Sequence, residues 1–261
     1  MLKHIHIFNT RKEHFKNENI LQETIITKFT KEHYSSQITI TSSEDSTFST
    51  IYTLNVSKDI VLEKNRNIIC IPVDKRDLEI LKLFHSTTTT LKDLDYHIST
   101  GKVVTFRNRN LLSRTLDNLF SQTKTYAPLL WMHNFKKEKL IFPLTNKKEQ
   151  YIEISNASKS LLIPAQNYLI IKRFSSKEQH RRINIGYLYK DELAYKYIGL
   201  ENHLNYLYRK DRELTKMEMK QLGTFLISPE VDQYFRILNG NTQVNAADIL
   251  QLPIPSELFK V

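Results

Sequence analysis

Hydrophobic and polar positions alternate along several short stretches near the start of the chain, as they do in β-strands. Residues 4–8 alternate, while residues 37–41 and 49–56 are rich in β-branched side chains and flank a polar run of serines and acidic residues. This arrangement predicts one strand and a β-hairpin. Residues 20–29 fit either a strand or a short helix, and residues 74–84 carry apolar side chains at helical spacing.

A run of threonines from Thr87 to Thr90 ends that helical pattern, because β-branched residues are poor helix formers. Strand-like stretches then recur at residues 98–109, 127–132, 140–142, 161–163, 168–174 and 182–189. Helical patterning returns at residues 216–238, and Asn239-Gly240 follows, a dipeptide that favours positive φ and a sharp turn. We therefore expect an α+β fold: a mixed, β-rich domain with C-terminal helices.

The length, net charge and composition of the chain indicate which class of partner to expect. The chain has 261 residues, a formal net charge of +10 and 40% hydrophobic residues. This is globular composition with an excess of positive charge, so a polyanion, nucleic acid first, is the expected partner, and a merely solvated basic surface is the alternative. No apolar run reaches membrane-spanning length and the N-terminus lacks a signal-peptide pattern, so we expect a cytoplasmic protein without a membrane partner.

Metal and disulfide chemistry find little support in the sequence. Cys70 is the only cysteine, which excludes a disulfide framework and a cluster of thiolate ligands. His4 and His6 have no third ligand at a suitable spacing, so we expect ordinary strand histidines and no metal site.

The candidate DNA-binding residues fall into two groups. Cations and hydroxyls suited to phosphates are Arg107, Arg109, Lys172, Arg173, Ser175, Ser176, Lys177, Arg181 and Arg182. Candidate base or backbone readers are Asn202, His203, Asn205, Asn241, Thr242 and Gln243, with Asn245 favoured as scaffold. A solvated hairpin tip is the alternative for residues 172–182. Glu201 with His203 could also form an acid/base pair, and Trp131 or His133 could stack on bases, although a lone Trp is more often core.

Several blocks carry a family resemblance. Residues 8–15 and 20–26 resemble the segment that ends the catalytic half of type II N6-adenine-specific DNA methyltransferases of restriction–modification systems, of the TaqI-like specificity-domain type. Residues 98–107 resemble the start of their target-recognition domain, and residues 172–182, 201–206 and 231–253 match further blocks in family order. The resemblance implies a remnant of an α/β methyltransferase domain at residues 1–75 and a target-recognition domain at residues 76–261.

The resemblance also implies chemistry that this sequence does not carry by itself. The family transfers a methyl group from S-adenosylmethionine to a flipped adenine, using an Asn/Asp-Pro-Pro-Tyr/Phe loop and a glycine-containing cofactor loop. The chain has no Pro-Pro and no Gly-x-Gly. We therefore expect no catalytic residue and no cofactor in this chain, S-adenosylmethionine serving only the complete family enzyme, and whether the chain counts as an enzyme stays open.

Two functions follow from the resemblance. The leading hypothesis is sequence-specific recognition of double-stranded DNA without methyl transfer by this chain alone. The alternative is the second subunit of a split methyltransferase, whose main role is to dock a separate catalytic subunit. The chain could be a piece of a longer protein, a split-gene product or a remnant. A restriction endonuclease would need a carboxylate cluster for magnesium, and the sequence offers no persuasive one.

Overall fold

The computed structural model describes residues 1–10, 17, 24–31, 36–48, 51–63, 68–115, 125–145 and 148–255. Most of the family block at residues 8–15 and more than half of the one at residues 20–26 lie outside the described residues. The chain forms two compact units, Met1–Thr87 with Gln233–Gly240, and Thr88–Asp232 with Asn241–Val261. The division into family modules at residues 75 and 76 stays a prediction.

The first unit combines short strands with helices. In chain order they are β1 (Leu2–Phe8), β2 (Ile25–Phe29), β3 (Gln37–Ser43), β4 (Ile51–Ser57), α1 (Lys58–Val61), β5 (Leu62–Glu63), β6 (Ile68–Ile69) and α2 (Lys75–His85).

A four-stranded sheet in the order β2-β1-β3-β4 forms the centre of this unit. β3 and β4 pair antiparallel, so the predicted hairpin is confirmed, and the ambiguous stretch at residues 20–29 contains the strand β2. Ile5, Ile40 and Leu54 occupy one cross-strand row. They pack into a core with Val61, because side chains in one row of a sheet share a face.

Helix α2 confirms the predicted helical pattern. The Asp74 carboxylate accepts a hydrogen bond from the backbone N–H of Asp77 at 2.8 Å, which caps the helix start. The helix ends at His85, just before the threonine run. Phe84 stacks on Tyr234 with 4.1 Å between ring centroids, so an aromatic pair anchors the end of α2 in the first unit.

The second unit is richer in β-strands. Its strands are β7 (His97–Thr100), β8 (Leu112–Ser113), β9 (Tyr126–Leu130), β10 (Phe135–Lys136), β11 (Lys139–Leu140), β12 (Tyr151–Glu153), β13 (Leu162–Pro164), β14 (Tyr168–Lys172), β15 (Ile185–Leu188), β16 (Tyr197–Leu200) and β17 (Leu204–Tyr208). The helices that follow are α3 (Lys216–Leu226), α4 (Pro229–Leu238), which contributes residues to both units, and α5 (Ala246–Leu250).

Two sheets organise the second unit. One has the order β13-β16-β9-β12-β8, with β16 and β9 parallel. The other has the order β15-β14-β17-β7 and is antiparallel throughout. Residues of both sheets contribute to the main core of this unit, which includes the buried side chains of Leu130, Phe135, Ile170 and Tyr206. The predicted α+β class is confirmed, and Pro229 divides the helical stretch into α3 and α4 because proline favours the first position of a new helix.

Helix α3 begins with a capping network around Glu218. Thr215 caps the helix, while Arg212 and the Tyr96 hydroxyl donate to the Glu218 carboxylate at 2.7 and 2.9 Å. Burial acts to raise the pKa of Glu218, but these hydrogen bonds prevail and hold it below its ordinary value. Burial and the bond to Glu218 raise the pKa of Tyr96 to about 12.

The expected turn at Asn239-Gly240 is wrong in its backbone conformation. Helix α4 does end there, at Leu238. However, no glycine of the described ranges has a positive φ, and Asn239 is not among the residues that do. Asn239 is buried and its backbone N–H donates to the Phe235 carbonyl at 2.9 Å, so a helical hydrogen bond replaces the left-handed turn. Nowhere in the described ranges does a helix have both the length and the apolarity needed to cross a bilayer.

Candidate nucleic-acid interface

The strands β14 and β17 bring two predicted groups of residues together. Lys172, at the end of β14, pairs with Leu204, at the start of β17. The backbone N–H of Arg173 donates to the His203 carbonyl at 2.9 Å, and its Nη1 donates to the Asn202 carbonyl at 2.7 Å. The cationic segment and the Asn202–His203 segment therefore share one end of the sheet.

A third predicted segment, residues 241–244, lies against the same loop. The N–H of Ser175 donates to the Thr242 carbonyl at 2.9 Å, and the N–H of Val244 donates to the Arg173 carbonyl at 2.7 Å. Phe174 and Gln243 form an antiparallel bridge between these bonds. Segments about 30 to 70 residues apart in sequence thus meet at one surface.

Gly101 permits the close approach of backbones beneath this surface. Its N–H donates to the Leu204 carbonyl at 2.7 Å, and a Cβ at this position would lie 2.3 Å from the Glu201 carbonyl oxygen. Any side chain would therefore push the backbone of residues 200–201 away. Two residues later, Val103 accepts a hydrogen bond from the Asn202 N–H at 3.0 Å.

Arg107 and Arg109 lie on the loop that follows Val103, and both are exposed. The Arg107 guanidinium sits 5.4 Å from the ring centroid of Phe106, which is itself exposed. Neither arginine lines the groove described below.

Three predicted DNA contacts are buried in the structure. Arg182, Ser175 and Asn205 have exposed fractions of 0%, 3% and 0%. Arg182 donates from Nε to the Ser175 hydroxyl at 3.2 Å and from Nη2 to the Asn241 carbonyl, and its backbone N–H donates to Asp232 at 2.6 Å. We therefore reassign these side chains from DNA contact to scaffold, since a buried guanidinium in this arrangement does not reach a phosphate.

Asn205 joins two segments of the site from within. It accepts from the Thr100 hydroxyl at 2.9 Å and donates to the Val244 carbonyl at 3.0 Å. Asn245 stands at the N-cap position of helix α5, and its side-chain amide donates to the Asp248 carboxylate at 3.1 Å. Besides Arg107 and Arg109, the predicted residues that remain at least partly exposed are Lys172, Arg173, Ser176, Lys177, Arg181, Asn202, His203, Asn241, Thr242 and Gln243.

A groove with a volume of about 660 Å³ opens beside the β14–β15 connection. Basic side chains line much of it: Lys136, Lys137, Lys172, Arg181, His133 and His180. The acidic side chain of Glu138 lies among them, 3.4 Å from Arg181 Nη1. The groove therefore presents a strongly positive surface to a ligand.

Sequence reasoning missed the short hairpin that supplies Lys136 and Lys137. β10 and β11 are joined by Lys137 and Glu138, whose φ angles of 46° and 66° define a tight turn. The charged cluster Lys136-Lys137-Glu138-Lys139 is visible in the sequence and could have indicated a further basic segment, but only long-range packing places it at the groove. His133 lines the same groove. Trp131, the other residue considered for stacking, is buried and its indole N–H donates to the Glu149 carbonyl at 2.7 Å.

The pKa values of two groove residues, Lys172 and His133, are lowered in this environment. Burial lowers the pKa of Lys172, whose ammonium donates to the Phe135 carbonyl at 2.8 Å. Burial also lowers the pKa of His133, and the positive charges of Lys148, Lys172 and Lys136 add to that effect. An anionic ligand would relieve the repulsion among these cations.

His203 lies at the rim of the site and contacts the buried carboxylate of Glu201. Its Nδ1 lies 2.8 Å from Oε1 of Glu201, which is 2% exposed. Burial raises the pKa of Glu201, although the backbone N–H and imidazole of His203 oppose that shift. Phe174 packs edge-on against the His203 ring at 4.9 Å, so the imidazole is oriented from two sides.

A positive groove beside a cluster of exposed amides and rings, on a β-rich unit, defines a surface of the kind that binds polyanions.

No family model matches the chain. The chain is 32% identical over 256 residues to the type II methyltransferase M.BsuBI of Bacillus subtilis. This alignment covers 98% of this chain and 50% of that protein. It is also 32% identical over 259 residues to the type II methyltransferase M.PstI of Providencia stuartii, with the same coverage.

The chain thus spans half the length of these curated relatives. The predicted resemblance to type II methyltransferases of restriction–modification systems is confirmed at this level. Among solved structures, the type IIG restriction endonuclease BpuSI aligns with a TM-score of 0.49 and 12% identity, over 97% of this chain and 36% of that one.

Proposed function

We propose that this chain recognises a specific sequence in duplex DNA as the target-recognition part of an adenine-specific methyltransferase of a restriction–modification system. The observation that carries the proposal is the meeting of three sequence-distant polar segments beside a groove lined by Lys136, Lys137, Lys172 and Arg181. Similarity to type II methyltransferases over nearly the whole chain supports it. The TaqI-like type of specificity domain is part of the same proposal.

The groove cations and the rim residues have different roles in this proposal. Lys136, Lys137 and Arg181 contact phosphates, which set affinity and register but not sequence. His203, Gln243 and Asn202 reach base edges, where amide and imidazole groups distinguish donor and acceptor patterns. Phe174 offers an exposed apolar ring beside them, suited to contact with a thymine methyl or a base face.

Methyl transfer lies outside the proposed activity of this chain alone. Binding S-adenosylmethionine and holding a flipped adenine are functions that we assign to the complete enzyme, since the Pro-Pro and glycine-loop motifs do not occur in this sequence. The chain with duplex DNA and labelled S-adenosylmethionine should leave the DNA unlabelled. Labelled adenine in that assay would contradict this part of the proposal.

Selection from a pool of random duplexes tests recognition directly. We expect enrichment of one motif, with single mismatches costing about 1–3 kcal/mol of binding free energy. His203→Ala and Gln243→Ala should reduce discrimination at particular base pairs. Lys137→Ala, as the matched control in the groove, should weaken all duplexes alike. A pool that shows no enrichment would contradict the proposal of sequence-specific recognition.

A second candidate, docking of a separate catalytic subunit, is favoured by the edges of the sheet in the first unit. Both edge strands expose large apolar side chains: Ile25, Ile26 and Phe29 on β2, and Ile51 and Tyr52 on β4, each at least half exposed. Exposed strand edges with apolar side chains are ready surfaces for pairing with another chain.

Reconstitution separates the two functions. A catalytic subunit carrying the missing motifs is mixed with the wild-type chain or with the Ile26→Asp and Phe29→Asp variants, and methyl transfer is measured. Docking predicts that the variants abolish transfer while their own duplex binding is retained. Equal transfer by variants and wild type would exclude β2 as the docking edge.

A further inference from the structure

A mixed cluster of potential metal ligands lies in the first unit, apart from the proposed DNA-binding surface. It consists of Glu63 at the end of β5, Cys70 just after β6, and His85 at the end of α2. One donor atom from each residue lies within 4.8 Å of the others. Cys70 is fully buried, and the side chains of His85 and Glu63 are about five-sixths buried.

The separations around His85 fit a metal ion. Its Nε2 lies 3.9 Å from Sγ of Cys70 and 3.4 Å from Oε2 of Glu63. In a tetrahedral zinc site with ordinary bond lengths, about 3.6 Å separates a thiolate sulfur from an imidazole nitrogen, and about 3.3 Å separates that nitrogen from a carboxylate oxygen. Both separations around His85 are within a few tenths of an ångström of these values, and the Cys70 and Glu63 donor atoms lie within 4.8 Å of each other.

We propose that Glu63, Cys70 and His85 form a zinc-binding site with a fourth position for water or another ligand. Thiolate, imidazole and carboxylate together match zinc among common cellular metals. The Cys70 thiol loses its proton to solvent when the ion binds, His85 binds as the neutral imidazole, and the resulting Zn–S, Zn–N and Zn–O bonds need no oxidant or reductant.

An ion at this position would stabilise the short β5–β6 hairpin. Among the described residues of this segment, β5 and β6 contain two residues each and pair through Leu62–Ile69 and Glu63–Ile68, and the Cys70 N–H donates to the Val61 carbonyl. Such a short hairpin is marginal by itself. An ion shared by Glu63, Cys70 and His85 would fasten this hairpin to the end of α2. Spacings of 7 and 15 residues match no zinc motif, so sequence pattern does not predict this cluster.

Cobalt(II) titration of the full-length chain tests the site with one assignable signal. Cys70 is the only cysteine, so thiolate-to-cobalt charge-transfer absorption in the near ultraviolet can come from no other residue. We expect this band to saturate at one ion per chain, zinc to displace the cobalt, and metal analysis of the purified chain to find zinc at the same ratio. Titration without the charge-transfer band would overturn the proposal, whatever the variants do.

Variants assign the remaining ligands. Loss of a partner that merely supports a ligand weakens metal binding by about 10–100-fold, so Cys70→Ser and His85→Gln should weaken it at least that much. Glu63→Gln serves as a second route if either variant fails to fold, which circular dichroism reports. Glu79→Gln, which removes an exposed carboxylate from α2, is the matched control and should bind cobalt like the wild type. Unchanged affinity in folded Cys70→Ser and His85→Gln variants would exclude these ligands.

Discussion

Arg181 and Arg182 are neighbours in sequence, yet they belong to different parts of the molecule. Arg181 lines the groove with 40% of its side chain exposed, whereas Arg182 is fully buried. Arg182 and Ser175, with the backbone carbonyl of Asn241, form what we call the buried arginine network, and Lys136, Lys137 and Arg181 are the groove cations. The comparison teaches that the same residue type holds the loop in place at one position and offers charge to a ligand at the next.

Substitution in the buried arginine network should have the largest effect on folding. Arg182→Ala opens a cavity and leaves the Ser175 hydroxyl and the Asn241 carbonyl without its hydrogen bonds, and we expect the free energy of unfolding to fall by about 2–5 kcal/mol. Arg181→Ala, its matched control, should change it by less than about 0.5 kcal/mol. Urea unfolding followed by circular dichroism measures both. Similar values for the two variants would remove the distinction between them.

Gly101→Ala should displace the backbone on which the rim residues stand. The new Cβ would meet the carbonyls of Leu200 and Glu201 at 2.6 and 2.3 Å, so we expect a loss of about 1–3 kcal/mol in unfolding free energy, and weaker DNA binding. In Gly199→Ala the nearest atom is a side-chain methyl of Ile152 at 3.1 Å, which can move, so the effect should be smaller. Thermal melting and duplex binding should therefore rank Gly101→Ala as the more damaging change.

Glu218 provides a test of stability away from the groove. Because its pKa is lowered in the folded state, its hydrogen bonds contribute stability above its ordinary value of 4.5, and this contribution is lost as the pH falls toward the folded-state value. Glu218→Gln should therefore destabilise the chain at pH 7 by about 1–2 kcal/mol, with a smaller difference from wild type in acid. Urea unfolding at both pH values measures this, and a constant difference would contradict the assigned pKa shift.

The sequence predicted the parts of the fold that depend on local pattern. The β3–β4 hairpin, helix α2 and the strand β14 each carry their periodicity or their β-branched residues within a few neighbouring positions. The turn at Asn239-Gly240 was predicted with the wrong φ, because the hydrogen bond from Asn239 to Phe235 outweighs the local preference of the dipeptide.

The site was predictable only in outline. A cationic segment and two polar segments are visible in the sequence, but their contact depends on the pairing of Lys172 with Leu204 and of Phe174 with Gln243. Burial of Arg182 and the arrival of Lys136 and Lys137 at the groove are likewise products of long-range packing. Side-chain identity alone carries no information about which of two adjacent arginines faces solvent.

The salt dependence of duplex binding tests the central claim most directly. The logarithm of the binding constant is measured against the logarithm of salt concentration for the wild type, the Lys136→Ala/Lys137→Ala/Arg181→Ala variant, and a control with Lys159, Lys210 and Lys220 replaced by Ala. All three control lysines are exposed and lie outside the groove, so both variants lose the same charge.

If each groove cation neutralises one phosphate, the slope for the groove variant should be shallower than the wild-type slope by about 2.7, while the control should keep the wild-type slope to within about 0.5. Equal slopes for the groove variant and the control would contradict the assignment of the groove as the DNA-binding surface.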